Sequence, residues 1–375
     1  MHRTTLHVLT EAEPFAEFNG GAISRWVANV LRNMAHSVVV CPSADDTWKF
    51  APETICVLRR LRFYKRFRRF IAHLPWFVHR RVIQEIFRPM LARVGPGDIV
   101  WIHNRPEFAL ALAAHIHRAG ARIALQLHNS HLVDGPAWLM RQVRVDRLIF
   151  SSEFLLDQAR EKFPSLGASS VLYGGADETI FYPPVGGRRN AEIVTVLFAG
   201  RLVAEKGAHI LLDAMTLLGK QGVPLQAQIV GSSSFGEGEE TQYIRDLKAA
   251  SPTTVQFLPY RSGAALGDLF READMFCSPS VWKEPFGLVN VEALASALPI
   301  VSTHGGGATE VLAQGGGIMV ERGSAAQLAS ALRRLTECPE LRSELGGQGY
   351  AAFCERFTWS RTRTRAQEIQ RMILA

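Results

Sequence analysis

The chain has 375 residues, 47% of them hydrophobic and 21% charged, enough to bury a large core and more than one domain of ~100–200 residues usually holds. Its 31 Gly, 18 Pro and five scattered cysteines exclude a disordered, collagen-like or disulfide-stapled chain, and no apolar run reaches the ~20 residues needed to cross a bilayer. The net charge of +7 sits entirely in the first half: residues 1–180 carry 23 basic and 16 acidic side chains, residues 181–375 carry 19 of each.

Short apolar, β-branched runs alternate with helical periodicity throughout, the pattern of parallel sheets built from βαβ units. In the first half, strands are predicted at Leu6–Leu9, Ser37–Val40, Ile99–Ile102, Ile123–Leu127, Leu148–Phe150 and Ser170–Leu172. After a Pro- and Gly-rich stretch, Gly174 to Asn190, that reads as a linker, six more follow: Val194–Ala199, Leu225–Val230, Val255–Phe257, Met275–Ser278, Ile300–Ser302 and Gly317–Val320. Each half thus offers one doubly wound sheet. The N-terminus enters its first strand with no leader, so a cytoplasmic location is expected. The cysteines lack the spacing of a zinc or redox pair and read as reduced, mostly buried thiols.

From Val57 to Leu74 an amphipathic basic helix is predicted, with Val57, Leu61, Tyr64, Phe67, Ile71 and Leu74 on one face and Arg59, Arg62, Arg66 and Arg69 on another. Two readings are open. Either Arg59–Arg69 and the apolar face adsorb to an anionic membrane surface, or the apolar face packs on the sheet and the arginines are solvated.

The sharpest motif runs from Glu284 through Pro285-Phe286-Gly287-Leu288-Val289 to Glu292, after the strand Met275–Ser278. It puts Glu284 at a strand's C-terminal end and starts a helix near Gly287, whose first amides form a phosphate site with two carboxylates at different distances. Alternatively Glu284 caps the helix and Glu292 is solvated. Strand Val194–Ala199 leads into Gly200-Arg201 and on to Lys206-Gly207, placing two cations at the same sheet edge, where they either neutralise a diphosphate or face solvent. Gly305-Gly306-Gly307 follows Ile300–Ser302 and permits close approach to a ligand or a tight turn. In the first half, Asn19-Gly20-Gly21, His103-Asn104-Arg105-Pro106-Glu107 and His128-Asn129-Ser130-His131 all follow strands, and His128 is either a proton-active, sugar-binding group or a structural histidine.

Together, E-P-F-G-L-V between Glu284 and Glu292, the Gly200-Arg201 to Lys206 loop, Gly306-Gly307 with Glu310, and Phe357-Thr358-Trp359 resemble glycosyltransferase family 4, the retaining GT-B enzymes. The His103–Pro106 and Leu127–His131 segments are more loosely similar to bacterial spore-coat-polysaccharide transferases. The resemblance implies an α/β protein of two Rossmann-like, doubly wound domains facing across a cleft: 1–178 for the acceptor, 179–358 for a nucleotide sugar, and a helix over 359–375 crossing back. It assigns Arg201 and Lys206 to the donor diphosphate, Glu284 to the donor sugar's hydroxyls and Glu292 to the ribose. The amides of Phe286, Gly287 and Leu288 and the Gly20-Gly21 turn complete the phosphate cradle, and His128 contacts the sugar near its anomeric carbon. Ala297 stands where the family usually has Gly.

The expected function is retaining transfer of a hexose-type sugar from a UDP- or GDP-linked donor to a glycan or lipid-linked acceptor of bacterial surface polysaccharide, such as lipopolysaccharide. The enzyme is expected to be cytoplasmic or peripheral at the inner membrane face. No cofactor, metal or nucleic acid is expected, since no Asp-x-Asp and no aromatic–basic nucleic-acid module is present. The competing readings are a nucleotide-sugar epimerase of the same fold and a non-catalytic polysaccharide-binding protein.

Overall fold

The computed structural model describes residues 3–16, 21–32, 36–45, 54–130, 137–188, 192–234 and 239–375. They divide into two units, Met1–Tyr173 with Thr362–Ala375, and Gly174–Arg361.

The first unit is a seven-stranded parallel sheet: β1 (Thr5–Val8), β2 (Ser37–Cys41), β3 (Ile55–Val57), β4 (Ile99–His103), β5 (Arg122–Leu127), β6 (Arg147–Phe150) and β7 (Ser169–Val171), in the order β3-β2-β1-β4-β5-β6-β7. Its helices are α1 (Ala22–Leu31), α2 (Arg60–Ala72), α3 (Trp76–Leu91), α4 (Pro106–Arg118), α5 (Ala137–Gln142) and α6 (Glu153–Lys162). β4 is buried along its whole length, as expected of a strand covered on both faces. Around it pack Val8, Val40, Ile123, Phe87, Phe108 and Phe150.

The second unit holds β8 (Val194–Ala199), β9 (Leu225–Val230), β10 (Val255–Leu258), β11 (Met275–Ser278), β12 (Ile300–Thr303) and β13 (Gly317–Val320), all parallel, in the order β10-β9-β8-β11-β12-β13. They are flanked by α7 (Ala208–Lys220), α8 (Gln242–Ala249), α9 (Gly263–Glu272), α10 (Leu288–Ala295), α11 (Gly307–Val311), α12 (Ala325–Glu337) and α13 (Pro339–Arg356). The core joins Val196, Ile229, Met275, Cys277 and Val301 of the strands to Leu211, Ala214, Leu328 and Leu332 of α7 and α12.

The twelve expected strands are all present, and β3 is an unforeseen thirteenth. It is three residues long, at the sheet edge, and only half-buried, so it carries no apolar signal. Because β3 takes Val57, the basic helix begins at Arg60 and ends at Ala72, and a separate helix follows Pro75. The first unit ends at Tyr173, not at 178: Ala176 bridges Thr358, its N–H donating to the Phe357 carbonyl at 3.3 Å, which ties the segment after Gly174 to the second unit. A final helix, α14 (Trp359–Leu374), belongs to the first unit from Thr362 on, where Thr362 donates to the Tyr173 carbonyl and Gln370 to Thr5 Oγ1. All five cysteines are free; only Cys41 and Cys277 are buried, and Cys354 is exposed.

Candidate active site

In each sheet the strand order reverses direction at one place, between β8 and β11 in the second unit and between β1 and β4 in the first. In open α/β sheets, ligands bind outside the carboxyl ends of the strands at that point. The two loops leaving β8 and β11 carry Arg201, Lys206 and Glu284.

Lys206 and Glu284 are brought together. Lys206 Nζ lies 2.6 Å from Glu284 Oε1, with side-chain exposures of 18% and 12%, so the pair is largely withdrawn from water. The other carboxylate oxygen accepts from Ser280 Oγ at 3.1 Å and Trp282 Nε1 at 3.2 Å. The ammonium also sits 5.8 Å from the centre of the Trp282 ring. Glu284 is therefore an oriented carboxylate and not the helix cap: α10 begins at Leu288, with Gly287 in the left-handed region at φ +85°. Arg201 is half-buried in the loop after β8, and Glu292 is half-buried in the second turn of α10.

Backbone contacts fix these loops. Gly207 is left-handed (φ +73°), and a Cβ there would stand 1.9 Å from the Pro279 carbonyl oxygen. The Val281 N–H donates to the Glu205 carbonyl at 3.0 Å, so the loops after β8 and β11 are joined directly. A Cβ on Gly306 would meet the Glu284 carbonyl oxygen at 2.3 Å, and one on Gly307 would meet Phe286 Cα at 2.5 Å; the Gly307 N–H donates to the Glu284 carbonyl at 2.7 Å. The Gly306-Gly307 turn thus makes its close approach to the chain's own Glu284–Phe286 segment. Phe286 is buried against Phe357 at 5.9 Å between ring centres, which gives the late Phe357 a structural role.

Asn290, in the first turn of α10, escaped the sequence reading. It is wholly buried, and neither polar atom of its amide has a hydrogen-bond partner. Such an orphan is costly unless a further group satisfies it. Its nearness to Gly287, where a Cβ would lie 3.0 Å from Nδ2, sets it beside the motif.

In the first unit, three histidines from consecutive positions in the sheet form a ring-to-ring chain. His7 Nδ1 lies 3.2 Å from His103 Nε2, and His103 Nδ1 lies 3.0 Å from His128 Nε2. His128 is also held through its backbone N–H, which donates to Asn104 Oδ1 at 2.8 Å. Asn104 adopts φ +53°, a conformation asparagine tolerates. Trp26 stands edge-on to His128 and Trp101 stacks on His7. Burial lowers the pKa of His7 and of His128 to about 3 and that of His103 well below its usual value, so all three rings are neutral near pH 7. Neutral rings allow two proton orders along the chain: one leaves an N–H at His128 Nδ1, the other leaves a lone pair there and a proton on His7 Nε2, which has no partner.

Between His103 and the start of α4, Arg105 clamps Glu11 with Nε at 2.6 Å and Nη2 at 2.8 Å, and Arg68 adds a third bond at 3.0 Å. Burial pushes the Glu11 carboxyl up, but these partners outweigh it and leave its pKa below the usual value. Gly21 caps α1, and a Cβ there would fall 1.9 Å from Glu13 Oε1, so the Glu13 side chain would have to shift to admit one. Gly20, Asn19 and His131 lie outside the described residues. Among the described residues no group of three or more His, Cys, Asp or Glu is placed to hold a metal ion, and no helix is long and apolar enough to cross a membrane.

Residues 187–352 match the family described as glycosyl transferases group 1. The chain is 27% identical to spore coat protein SA of Bacillus subtilis (strain 168), over 70% of this chain and 75% of that one. It is 32% identical to a D-inositol 3-phosphate glycosyltransferase of Arthrobacter sp. (strain FB24), over 50% of this chain and 46% of that one. Its fold is similar to that of Anabaena HepE in complex with UDP and glucose, with a TM-score of 0.74 at 18% identity over 98% of this chain and 99% of that one. A sucrose-phosphate synthase from Thermosynechococcus elongatus gives a TM-score of 0.77 at 18% identity over 99% of each chain.

Proposed function

We propose that this chain, whose residues 187–352 match the family described as glycosyl transferases group 1, is a glycosyltransferase that moves a hexose-type sugar, with retention, from a UDP- or GDP-linked donor to a glycan or lipid-linked acceptor of bacterial surface polysaccharide. The observation that carries the reading is the Lys206–Glu284 pair at the β8/β11 switch point, beside the first amides of α10.

The residue types suit the charges of such a reaction. As the bond from the anomeric carbon to the diphosphate oxygen breaks, negative charge builds on the leaving group; Lys206, Arg201 and the amides of Phe286, Gly287 and Leu288 are the groups that would take it. Glu284, oriented by Ser280 and Trp282, accepts from sugar hydroxyls, and Glu292 accepts from the ribose. His128, neutral, offers a ring nitrogen to the sugar without adding a charge next to the cationic ring that develops. The new bond forms between the acceptor oxygen and the same anomeric carbon, on the face the diphosphate leaves, and the acceptor's proton passes to the departing diphosphate. HepE being solved with UDP and glucose supports UDP as the first donor base to try.

The test is a thermal-shift screen of the purified protein against UDP, GDP, ADP and their common sugar conjugates, since a ligand of the native state raises the melting temperature with its affinity. A shift with one nucleotide, a larger one with a single conjugate, and release of the nucleoside diphosphate when an acceptor is added are the expected results. No shift with any of them overturns the transfer reading and favours a binding protein; conversion of a donor without acceptor into its epimer favours the epimerase.

A further inference from the structure

The basic helix has two apolar faces, and only one is used by the fold. Leu61, Tyr64 and Ile71 are buried in the core, the Tyr64 hydroxyl pairs with His79 Nε2 at 2.8 Å, and Arg68 reaches inward to Glu11. Phe67, grouped with the core face by its spacing, is instead exposed, together with Phe63 and Phe70. At 100° per residue, Phe63, Phe67 and Phe70 fall within a sector of about 60°, a single stripe beside the core stripe. Their exposures are 64%, 51% and 68%. Such rings concentrated on one helix mark an interaction site rather than ordinary scatter.

The charge around them names the partner. Between Thr54 and Gln84 there are nine Lys or Arg and no Asp or Glu, which exceeds the +7 of the whole chain and leaves the remainder slightly acidic. Arg62, Arg66 and Arg69 form the stripe next to the phenylalanines on the side away from the core, and all three are exposed. An apolar stripe bordered by cations, with no acid to repel an anionic surface, is the composition of a helix that lies in a lipid interface.

We propose that this face of α2 docks in the plane of an anionic bilayer, with Phe63, Phe67 and Phe70 among the acyl chains and Arg62, Arg66 and Arg69 on the head groups. The transfer reaction is not needed for this assignment, and its test reads binding alone, so the two stand or fall separately.

The experiment is cosedimentation of the full chain with vesicles of phosphatidylcholine alone and of phosphatidylcholine with phosphatidylglycerol at about 3:1. The expected result is pelleting with the anionic vesicles only. It should fall more than about tenfold in the Phe63→Ser/Phe67→Ser/Phe70→Ser variant and in the Arg62→Glu/Arg66→Glu/Arg69→Glu variant. Circular dichroism melts checks that both variants fold, and a salt titration of the unaltered protein gives an independent reading of the charge contribution. Equal pelleting with both vesicles, none with either, or an unaffected phenylalanine variant overturns the proposal. A dimer in gel filtration that the phenylalanine variant converts to monomer, without vesicle binding, assigns the face to a second copy instead.

Discussion

Lys206 and Glu284, 78 positions apart in the chain, neutralise each other across 2.6 Å at the point where the second sheet reverses its strand order. A cation assigned to a diphosphate and an anion assigned to sugar hydroxyls are thus held by one another, each ready to exchange a charged partner for a donor group.

Removing either member has a different signature. Lys206→Ala is expected to weaken nucleoside diphosphate binding and transfer together, whereas Glu284→Ala is expected to keep nucleotide binding and lose the added shift given by the sugar. In both, transfer should drop by ~10²–10³, the usual cost of one charged group in such a site. Calorimetric nucleotide titrations beside turnover assays separate them, and full activity in either variant contradicts the assignment.

Stability should rise with pH across the range where free histidines lose their protons. His7, His103 and His128 have folded pKa values below the ordinary 6.5, so below pH 6.5 the unfolded chain takes up protons that the folded chain refuses. Each ring then costs about 1.4 kcal/mol per pH unit as the pH falls. Glu13, raised by burial to about 7, acts in the opposite sense between its unfolded value near 4.5 and 7, and Glu107 is shifted the same way. The three rings, with His79 and His115 shifted in the same direction, outweigh the two carboxyls, so the net slope between about pH 5 and 6.5 is positive. Urea unfolding followed by tryptophan fluorescence at several pH values measures it, since Trp26 and Trp101 touch the rings; replacing His7 by Gln should lower the slope by about 1.4 kcal/mol per pH unit, one ring's share.

The turn after α10 holds a correctable strain. The Ala297 N–H donates to the Leu294 carbonyl and the Leu298 N–H to the Ala293 carbonyl, both at 3.0 Å, which closes the helix with Ala297 at φ +51°. A left-handed alanine costs roughly 1 kcal/mol that glycine does not. Ala297→Gly should therefore raise the melting temperature by a few degrees, in spite of the extra freedom it gives the unfolded chain; a lower one contradicts this.

Glycines at the site should behave unlike glycines elsewhere. Gly207→Ala sets a Cβ 1.9 Å from the Pro279 carbonyl in a left-handed residue and is expected to cost about 2–4 kcal/mol. Gly347→Ala, inside α13 with nothing within 4 Å of the new Cβ, should stabilise by about 0.5–1 kcal/mol. Chemical denaturation of the pair decides the matter.

The strands were legible because a parallel strand buried on both faces is a continuous apolar run, as in β8 and β11. β3 was not, being short, half-buried and at an edge. Glu284, Lys206 and the start of α10 could be placed from the strand ends before them. Their mutual pairing could not, because it depends on which strands are neighbours, and β8 and β11 are adjacent only in space. The histidine chain was hidden for the same reason: His7 and His103 lie in β1 and β4, and His128 directly follows β5. On α2 the helical period was read correctly but its apolar residues were merged into one face, since spacing alone does not reveal that Phe67 and Ile71 lie on opposite sides of a water boundary. The Gly306-Gly307 turn signalled close approach, and its partner proved to be the chain itself.

The two proton orders of the histidine chain have a consequence for selectivity. A group at His128 Nδ1 that calls for the opposite tautomer must relocate the proton on all three rings, and so trade a bare lone pair for an unsatisfied N–H on His7 in the interior. The penalty for a mismatched visitor is exacted two rings away from the point of contact, where no change in the visitor's own shape can relieve it.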